Sequence, residues 1–290
     1  MIGLFANQDK EITKAIVEGL RLLGKPFLFR DTHGFDNDSH YEDKFTSIIV
    51  HGDNKKGKAL GSCWNKRNRP ALYVSGSYTR HKDYYRFGLN DLNWVPPNEC
   101  PSDRFEALNI HLNHKHKNGW KVLIAAHVPG NYWTTLITPL DINKWVKHIC
   151  DLIAVNYPIE NVYFRKHPKD HNKYFPPCRT DDNTKPINWQ EYVTLITFNS
   201  TIGVEAIING VPVVCDPSAA YSNIANSFET LYKPQITKSP QPPIMFPKNL
   251  YFPSNNTKFF NRLAYAQWSI EEIASGKPFE WLRENYIPTF

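Results

Sequence analysis

Glycine is scarce: 14 residues in a chain of 290, against 22 prolines. That ratio predicts stiff, ordered loops and excludes flexible Gly/Ser tethers. The five cysteines, at 63, 100, 150, 178 and 215, are scattered and odd in number, and none is spaced Cys-x-x-Cys. A disulfide framework and a zinc knuckle are both excluded on that count. No apolar run approaches the ~20 residues that span a bilayer. The densest stretches, residues 122–126 and 211–215, have the length of buried strands. The start of the chain, Met1-Ile2-Gly3-Leu4-Phe5-Ala6-Asn7-Gln8-Asp9, lacks the basic region and long apolar core of a secretory signal. The glycosylation sequons at Asn37, Asn199 and Asn255 therefore carry no weight, and the expected location is the cytoplasm. There is no Gly-x-Ser-x-Gly for a serine nucleophile, no internal repeat and no low-complexity tract.

What is present is a globular composition, 41% hydrophobic and 21% charged, on a length that allows one large domain or two ordinary ones. Aromatics reach 14%, more than a core of this size needs, so some rings are expected to stack on ligands.

The net charge of +6 is unevenly placed. Between His51 and Asn90, nine Lys or Arg face only Asp53 and Asp83, so this segment nets +7. The same stretch carries Trp64, Tyr73, Tyr78, Tyr84 and Tyr85. Cations interleaved with rings suit a phosphate backbone with nearby bases. A solvated loop with ordinary surface lysines has the same composition. The residues expected to meet a polyanion are Lys55, Lys56, Lys66, Arg67, Arg69, Arg80, Tyr84 and Arg86.

Residues 2–6 read as a buried strand. The helical spacing of Ile12, Ala15, Ile16, Leu20 and Leu23 predicts a helix ended by Gly24. Strands at 26–30 and 47–50 complete the opening of a parallel α/β sheet. A second α/β unit begins near Gly119, with strands at 120–126, 162–165, 192–198 and 211–215 and helices at 140–155 and 202–209. Residues 233–257 read as a surface connection, and 261–275 as a closing helix with an aromatic face. The expected division is an acceptor-side domain over 1–118, a nucleotide-sugar domain over 119–257, and a helical tail over 258–290 that packs back on the first. Two such units predict a cleft, with ligands at strand C-termini.

Two motifs carry chemistry. In Thr197-Phe198-Asn199-Ser200-Thr201-Ile202-Gly203-Val204-Glu205-Ala206, a strand turns into a helix, and Asn199, Ser200 and Thr201 stand at its N-terminus, a place suited to an anion. Gly203 would let a ligand or strand approach closely, and Glu205 could accept hydrogen bonds from a ribose. A plain helix cap would look the same. The second motif is Arg165-Lys166-His167-Pro168-Lys169, directly after a strand. Arg165 suits a bidentate grip on phosphate, and His167 could donate to a phosphate oxygen or move a proton. A basic turn fixed by Pro168 is the plainer reading. Together the two motifs meet the needs of a nucleotide diphosphate. Neither His111, His114 and His116 with Cys100, nor His167 with Asp170 and His171, has the spacing of a standard metal site, so no obligatory metal is inferred.

His-Pro after a strand, then Asn-Ser-Thr-x-Gly-x-Glu-Ala and Gly-x-Pro-Val, resembles the capsule-polysaccharide glycosyltransferases of the Kdo-transferase type and shorter glycosyltransferases encoded by phages. The loop ending at Gly130, Trp145 and the tail from Asn261 to Phe279 are similar too, so the resemblance covers residues 119–280. It implies a GT-B fold: two Rossmann-like domains with a cleft between them, a nucleotide-sugar donor (a UDP-sugar) held by the second, and a last helix returning to the first. The donor set is then Gly130, Arg165, His167, Lys169, Asn199, Ser200, Thr201, Gly203 and Glu205. The phage proteins carry Asp-x-Gly-Tyr before Tyr-Tyr-Arg. Here Ser75-Gly76-Ser77-Tyr78 precedes Tyr84-Tyr85-Arg86, so the acidic residue is missing. The catalytic base is expected instead from the loop after the second strand, where Asp36 and Asp38 also lie, with Asp31 and His33 best placed. The basic aromatic segment and the phage resemblance point to a 5-hydroxymethylpyrimidine in double-stranded DNA as acceptor. Alternatives are transfer to a capsule or other surface glycan, and a non-enzymatic nucleic-acid-binding protein.

Overall fold

The structure, a computed structural model, describes residues 1–31, 44–52, 55–79, 82, 84–114, 119–130, 133–155, 157–232, 250 and 256–288; of Asp31 it describes the backbone alone. The chain forms two compact units, one of residues 1–108 and 260–290, the other of residues 109–259. Each is built on a six-stranded, mostly parallel sheet, so the α/β class expected from the sequence is the one observed. Among the described residues no helix is long and apolar enough to cross a membrane.

The first unit opens with β1 (Ile2–Ala6), α1 (Glu11–Leu22), β2 (Phe27–Asp31) and β3 (Ser47–His51), and continues with α2 (Lys55–Lys66), β4 (Ala71–Gly76), β5 (Tyr84–Leu89) and α3 (Asp103–Ala107). Strands β2, β1, β3 and β4 lie side by side and parallel, while β5 joins antiparallel. Ile12, Ala15, Ile16 and Leu20 of α1 are buried against Ile2, Leu4 and Ala6 of β1, as the helical spacing requires.

The second unit contains β6 (Lys121–Ala125), α4 (Pro139–Ala154), β7 (Val162–Arg165), β8 (Arg179–Thr180), β9 (Tyr192–Thr197), α5 (Ile202–Ile208), β10 (Val213–Cys215), β11 (Asn226–Ser227) and the short α6 (Glu229–Tyr232). Its strands are all parallel, in the order β11-β10-β9-β6-β7-β8. Counted from β6 this is 3-2-1-4-5-6 read from the far edge, the doubly wound order of nucleotide-binding sheets. Ile142, Val146, Ile149 and Ile153 of α4 cover one face against Val122, Ile124, Phe164 and Ile196. A capping box starts α4, with Thr138 and Asp141 bonding each other's backbone N–H, and Pro139 follows the cap.

The end of the chain departs from the expected single helix over 261–275. It forms α7 (Thr257–Tyr265), β12 (Gln267–Ser269), α8 (Ile270–Ala274) and α9 (Lys277–Asn285). Strand β12 interrupts the helix because Gln267, Trp268 and Ser269 pair antiparallel with Arg86, Tyr85 and Tyr84 of β5. Ser269 then starts α8 afresh in a capping box with Glu272. Arg104 of α3 locks this corner: its guanidinium lies 3.6 Å over the Trp268 ring and donates to both Glu272 carboxylate oxygens. Helix α8 lies against α1 at Gly19, where a Cβ would come within 2.2 Å of the Ile273 carbonyl oxygen.

Candidate functional site

In a doubly wound sheet the ligand crevice opens where the strand order reverses, at the C-terminal ends of the strands. In the second unit that point lies between β6 and β9. Ala125 is paired with Arg165 of β7 on one side and with Thr197 of β9 on the other, so the strands end in one row. Thr197 Oγ1 donates to the Ala125 carbonyl at 2.9 Å, and the Ala126 N–H to the Arg165 carbonyl at 3.1 Å, which ties the ends together. The loops after residues 126, 165 and 198 therefore leave the same edge, side by side.

His167 is half-buried, and its Nδ1 accepts the Lys169 N–H at 3.1 Å. A neutral imidazole has one donor and one acceptor nitrogen. With Nδ1 accepting, the proton sits on Nε2, the tautomer that can donate to a phosphate oxygen. Lys169 itself is exposed. Across β6, Thr201 has helical backbone angles and its side chain makes no capping bond. Ser200 uses its carbonyl to accept from the Tyr221 hydroxyl at 2.6 Å. Helix α5 has only 7 residues, so the loop's polar side chains weigh more here than a helix dipole. Gly130 takes φ +86°, with nothing within 4 Å of a Cβ placed there. Its conformation is the left-handed one that glycine adopts without strain.

Four of the expected donor residues have other work. Arg165 is buried, its Nη1 paired with Asp181 and donating to the Asp182 carbonyl at 2.9 Å, its Nη2 donating to the Lys185 carbonyl. It clamps the segment after β8 and does not present a bidentate grip to a ligand. Gly203 makes room for a side chain: a Cβ there would meet the Tyr221 ring at 2.1 Å. Asn199 is buried and braces two neighbouring loops, its Nδ2 lying 3.2 Å from the Trp133 carbonyl and 3.3 Å from Ser218 Oγ. Glu205 is exposed, with Oε1 accepting from the Trp189 indole at 2.9 Å.

Two residues outside the expected donor set belong to this edge, one of them, Asp170, weighed from the sequence only as a metal ligand. Asp170, 2% exposed, accepts from Asn172 N–H and Nδ2 and from the Tyr174 hydroxyl, and so shapes the His167 loop. Burial and this carboxylate push the Tyr174 phenol up. His127 lies two residues beyond the end of β6 and is 5% exposed. Its Nε2 lies 3.1 Å from the Leu136 carbonyl and 2.9 Å from Thr134 Oγ1. Burial holds its pKa below the ordinary histidine value, with a smaller push in the same direction from His167. A histidine after an apolar strand was the only signal for it.

In the first unit, Asp31 ends β2, its backbone paired with Ala6. Its side chain, His33, Asp36, Asp38 and Arg80 lie outside the described residues. His51, not expected, ends β3 with its ring edge-on to Tyr85 at 6.5 Å. The basic segment divides. Lys55, Lys56, Lys66 and Arg67 are exposed on or just after α2, whose Gly57, Gly61 and Trp64 face inward. Arg86 is 8% exposed, donating to Asn93 and lying 5.3 Å over the Tyr78 ring, so it is not available to a polyanion. Arg69 donates to the Phe45 carbonyl at 3.2 Å, and Tyr84 is half-buried opposite Ser269. Each is drawn inward because its strand or loop is part of the sheet, not a free basic loop. Among the described residues no group of three or more His, Cys, Asp or Glu is placed to hold a metal ion.

No protein-family model matches the sequence, and no curated protein is similar to it in sequence. Solved structures do align with it. The beta Kdo 2,4 transferase of Thermosulfurimonas dismutans KpsC matches at 12% identity and a TM-score of 0.49, over 78% of this chain and 83% of that one. The beta Kdo 2,7 transferase of the same protein matches at 11% and 0.47, over 96% and 99%. The Methanocaldococcus jannaschii UDP-GlcNAc 2-epimerase, solved with UDP-GlcNAc and UDP, matches at 12% and 0.32, over 90% and 97%. By its own strand order and site, the chain is an α/β protein of two units, with a nucleotide-type sheet in the second.

Proposed function

We propose that the chain is a GT-B-type glycosyltransferase that takes a sugar from a nucleotide-sugar donor, a UDP-sugar first among them, and passes it to an acceptor hydroxyl. One observation supports the reading: in the 3-2-1-4-5-6 order of the second unit, the loop that carries His167 and exposed Lys169 and the loop that carries Ser200 and Thr201 leave the same sheet edge on either side of β6. Phosphates suit that donor set, because each offers hydrogens or positive charge to an anionic oxygen. Holding the leaving diphosphate is what a transferase must do electrostatically as the glycosidic bond breaks. Asp31, at the end of β2, is the proposed base toward the acceptor, with His33 as its comparison.

The acceptor we propose is carried on a polyanion, and a 5-hydroxymethylpyrimidine in DNA is its specific form. The exposed cations Lys55, Lys56, Lys66 and Arg67 support this. If it holds, binding should weaken with salt at a log–log slope of about −0.9 per duplex phosphate contacted, and Lys55→Ala with Lys66→Ala should flatten the slope.

The test is incubation of the full chain with a panel of nucleotide sugars and either hydroxymethylated DNA or an anionic capsule-type glycan, followed by mass measurement. A mass gain on either acceptor establishes transfer and identifies the class. Release of free sugar without transfer would leave only a nucleotide-sugar hydrolase, and no turnover with any donor would remove the enzymatic reading.

A further inference from the structure

His127 holds a lone pair that nothing among the described residues satisfies. A carbonyl oxygen can only accept, so the contact to Leu136 at 3.1 Å places the proton on Nε2. In the neutral ring Nδ1 is then a bare acceptor. It is buried and has no hydrogen-bond partner among the described residues. Leaving a buried acceptor unmade forfeits its hydration, and such groups in native proteins call for an explanation.

The position is informative. His127 comes two residues after the last residue of β6, the strand beside the switch point. The next strand on one side leads to His167, and on the other to Phe198, whose ring stands edge-on to His127 at 6.5 Å. Gly130, three residues on, has open space around it. What satisfies Nδ1 must bring a hydrogen. A phosphate or carboxylate oxygen would set lone pair against lone pair. The group therefore belongs to an uncharged part of the ligand. In a nucleotide the ribose adjoins the phosphate, and neighbouring strands lie ~4.8 Å apart. A phosphate held at the end of β7 puts a ribose hydroxyl over the end of β6.

We infer that His127 is a specificity-determining residue whose Nδ1 accepts a hydrogen bond from a ribose hydroxyl of the bound nucleotide. This rests on the nucleotide-sugar reading above. It gives the site a preference for ribonucleotides over deoxyribonucleotides. Glu205, the residue the sequence offers for a ribose, already has Oε1 engaged by Trp189.

The test is calorimetric titration of the full chain with uridine and cytidine diphosphates and with their 2′-deoxy and 3′-deoxy counterparts. Removing the hydroxyl that meets Nδ1 should weaken wild-type binding about 5- to 50-fold, the range for a hydrogen bond whose buried partner is left unmade. His127→Asn places an amide oxygen near the Nδ1 position and should keep that discrimination. His127→Gln places its amide nitrogen near Nε2, keeps the loop anchor and should lose the discrimination to below about twofold. Glu205→Leu should retain it. If His127→Gln does not fold, His127→Phe, which cannot accept, takes its place. Equal wild-type affinity for ribo and deoxy forms overturns the inference. So does full discrimination in His127→Gln or His127→Phe, or its loss in Glu205→Leu. Failure of every diphosphate to bind would instead remove the nucleotide-sugar reading itself.

Discussion

Arg165 and Asp181 form an ion pair in which the guanidinium Nη1 donates to the carboxylate Oδ2, with side-chain exposures of 9% and 19%. The other carboxylate oxygen accepts from the Tyr192 hydroxyl at 3.1 Å. A cation at the C-terminal end of β7 is thus spent on the protein's own chain, where it fixes the segment that follows β8.

Arg165→Ala should therefore act on stability before it acts on ligand binding. Removing one partner of a buried pair leaves the other charge uncompensated, at about 3 kcal/mol. Urea denaturation should show that loss, with a smaller one for Asp181→Asn. A variant as stable as wild type, but defective in donor binding, would return Arg165 to the role of phosphate ligand.

His167 is expected to bind phosphate through Nε2, since Nδ1 is taken by the Lys169 N–H. His167→Gln keeps an N–H near Nε2 and should lose little affinity for a nucleoside diphosphate. His167→Asn should lose about 1.5–3 kcal/mol, the worth of a hydrogen bond to a charged group. The reverse order in calorimetry would place the ligand at Nδ1 and break the loop geometry described above.

His127 sets a pH dependence of stability. Burial lowers its folded-state pKa below the ordinary 6.5, helped by His167 and opposed by Asp170 and the Leu136 carbonyl. Below 6.5 the unfolded chain binds the proton more readily than the folded one, so stability falls as pH drops through that value. Above it the neutral ring titrates in neither state. Urea midpoints compared at pH 7.5 and 5.5 should fall for wild type, and the His127 share of that fall should vanish in His127→Gln. An unchanged slope in the variant would mean that His127 is not buried neutral.

Gly203 is predicted to be required by Tyr221, whose ring would lie 2.1 Å from an added Cβ. Gly203→Ala should cost about 1–3 kcal/mol through overpacking. Adding Tyr221→Leu should relieve the clash, so that the double variant loses less than the two single losses together. Additive losses would contradict a direct contact.

Much of this architecture was legible because strands buried on both faces read as short apolar runs. Ile2–Ala6, Lys121–Ala125 and Val213–Cys215 lie close to where such runs place them. Helix α1 was legible from its apolar spacing and from Gly24, whose φ of +62° ends it. Helix α2 was not. Its two glycines and four lysines hide a helix whose inner face is set by Gly61, where a Cβ would strike the Tyr73 hydroxyl. Strand β12 was hidden by aromatic residues that continue a helical spacing, although Ser269 and Glu272 already spelled the start of a new helix.

By itself the sequence determined local matters: the fully apolar strands, the helix with regular apolar spacing and its glycine stop, and which loops carry cations, hydroxyls and imidazoles. These follow from propensity, periodicity and turn chemistry within a few residues. Only the tertiary structure decided partners. Arg165 meets Asp181, Gly203 meets Tyr221, and Trp268 meets both Arg104 and the backbone of β5. The same holds for His127, whose tautomer is set by Leu136 and which follows the strand beside the switch point of a strand order that no local pattern encodes. A charge or a lone pair is written in one residue, but what satisfies it is chosen by which distant segments the sheet brings alongside.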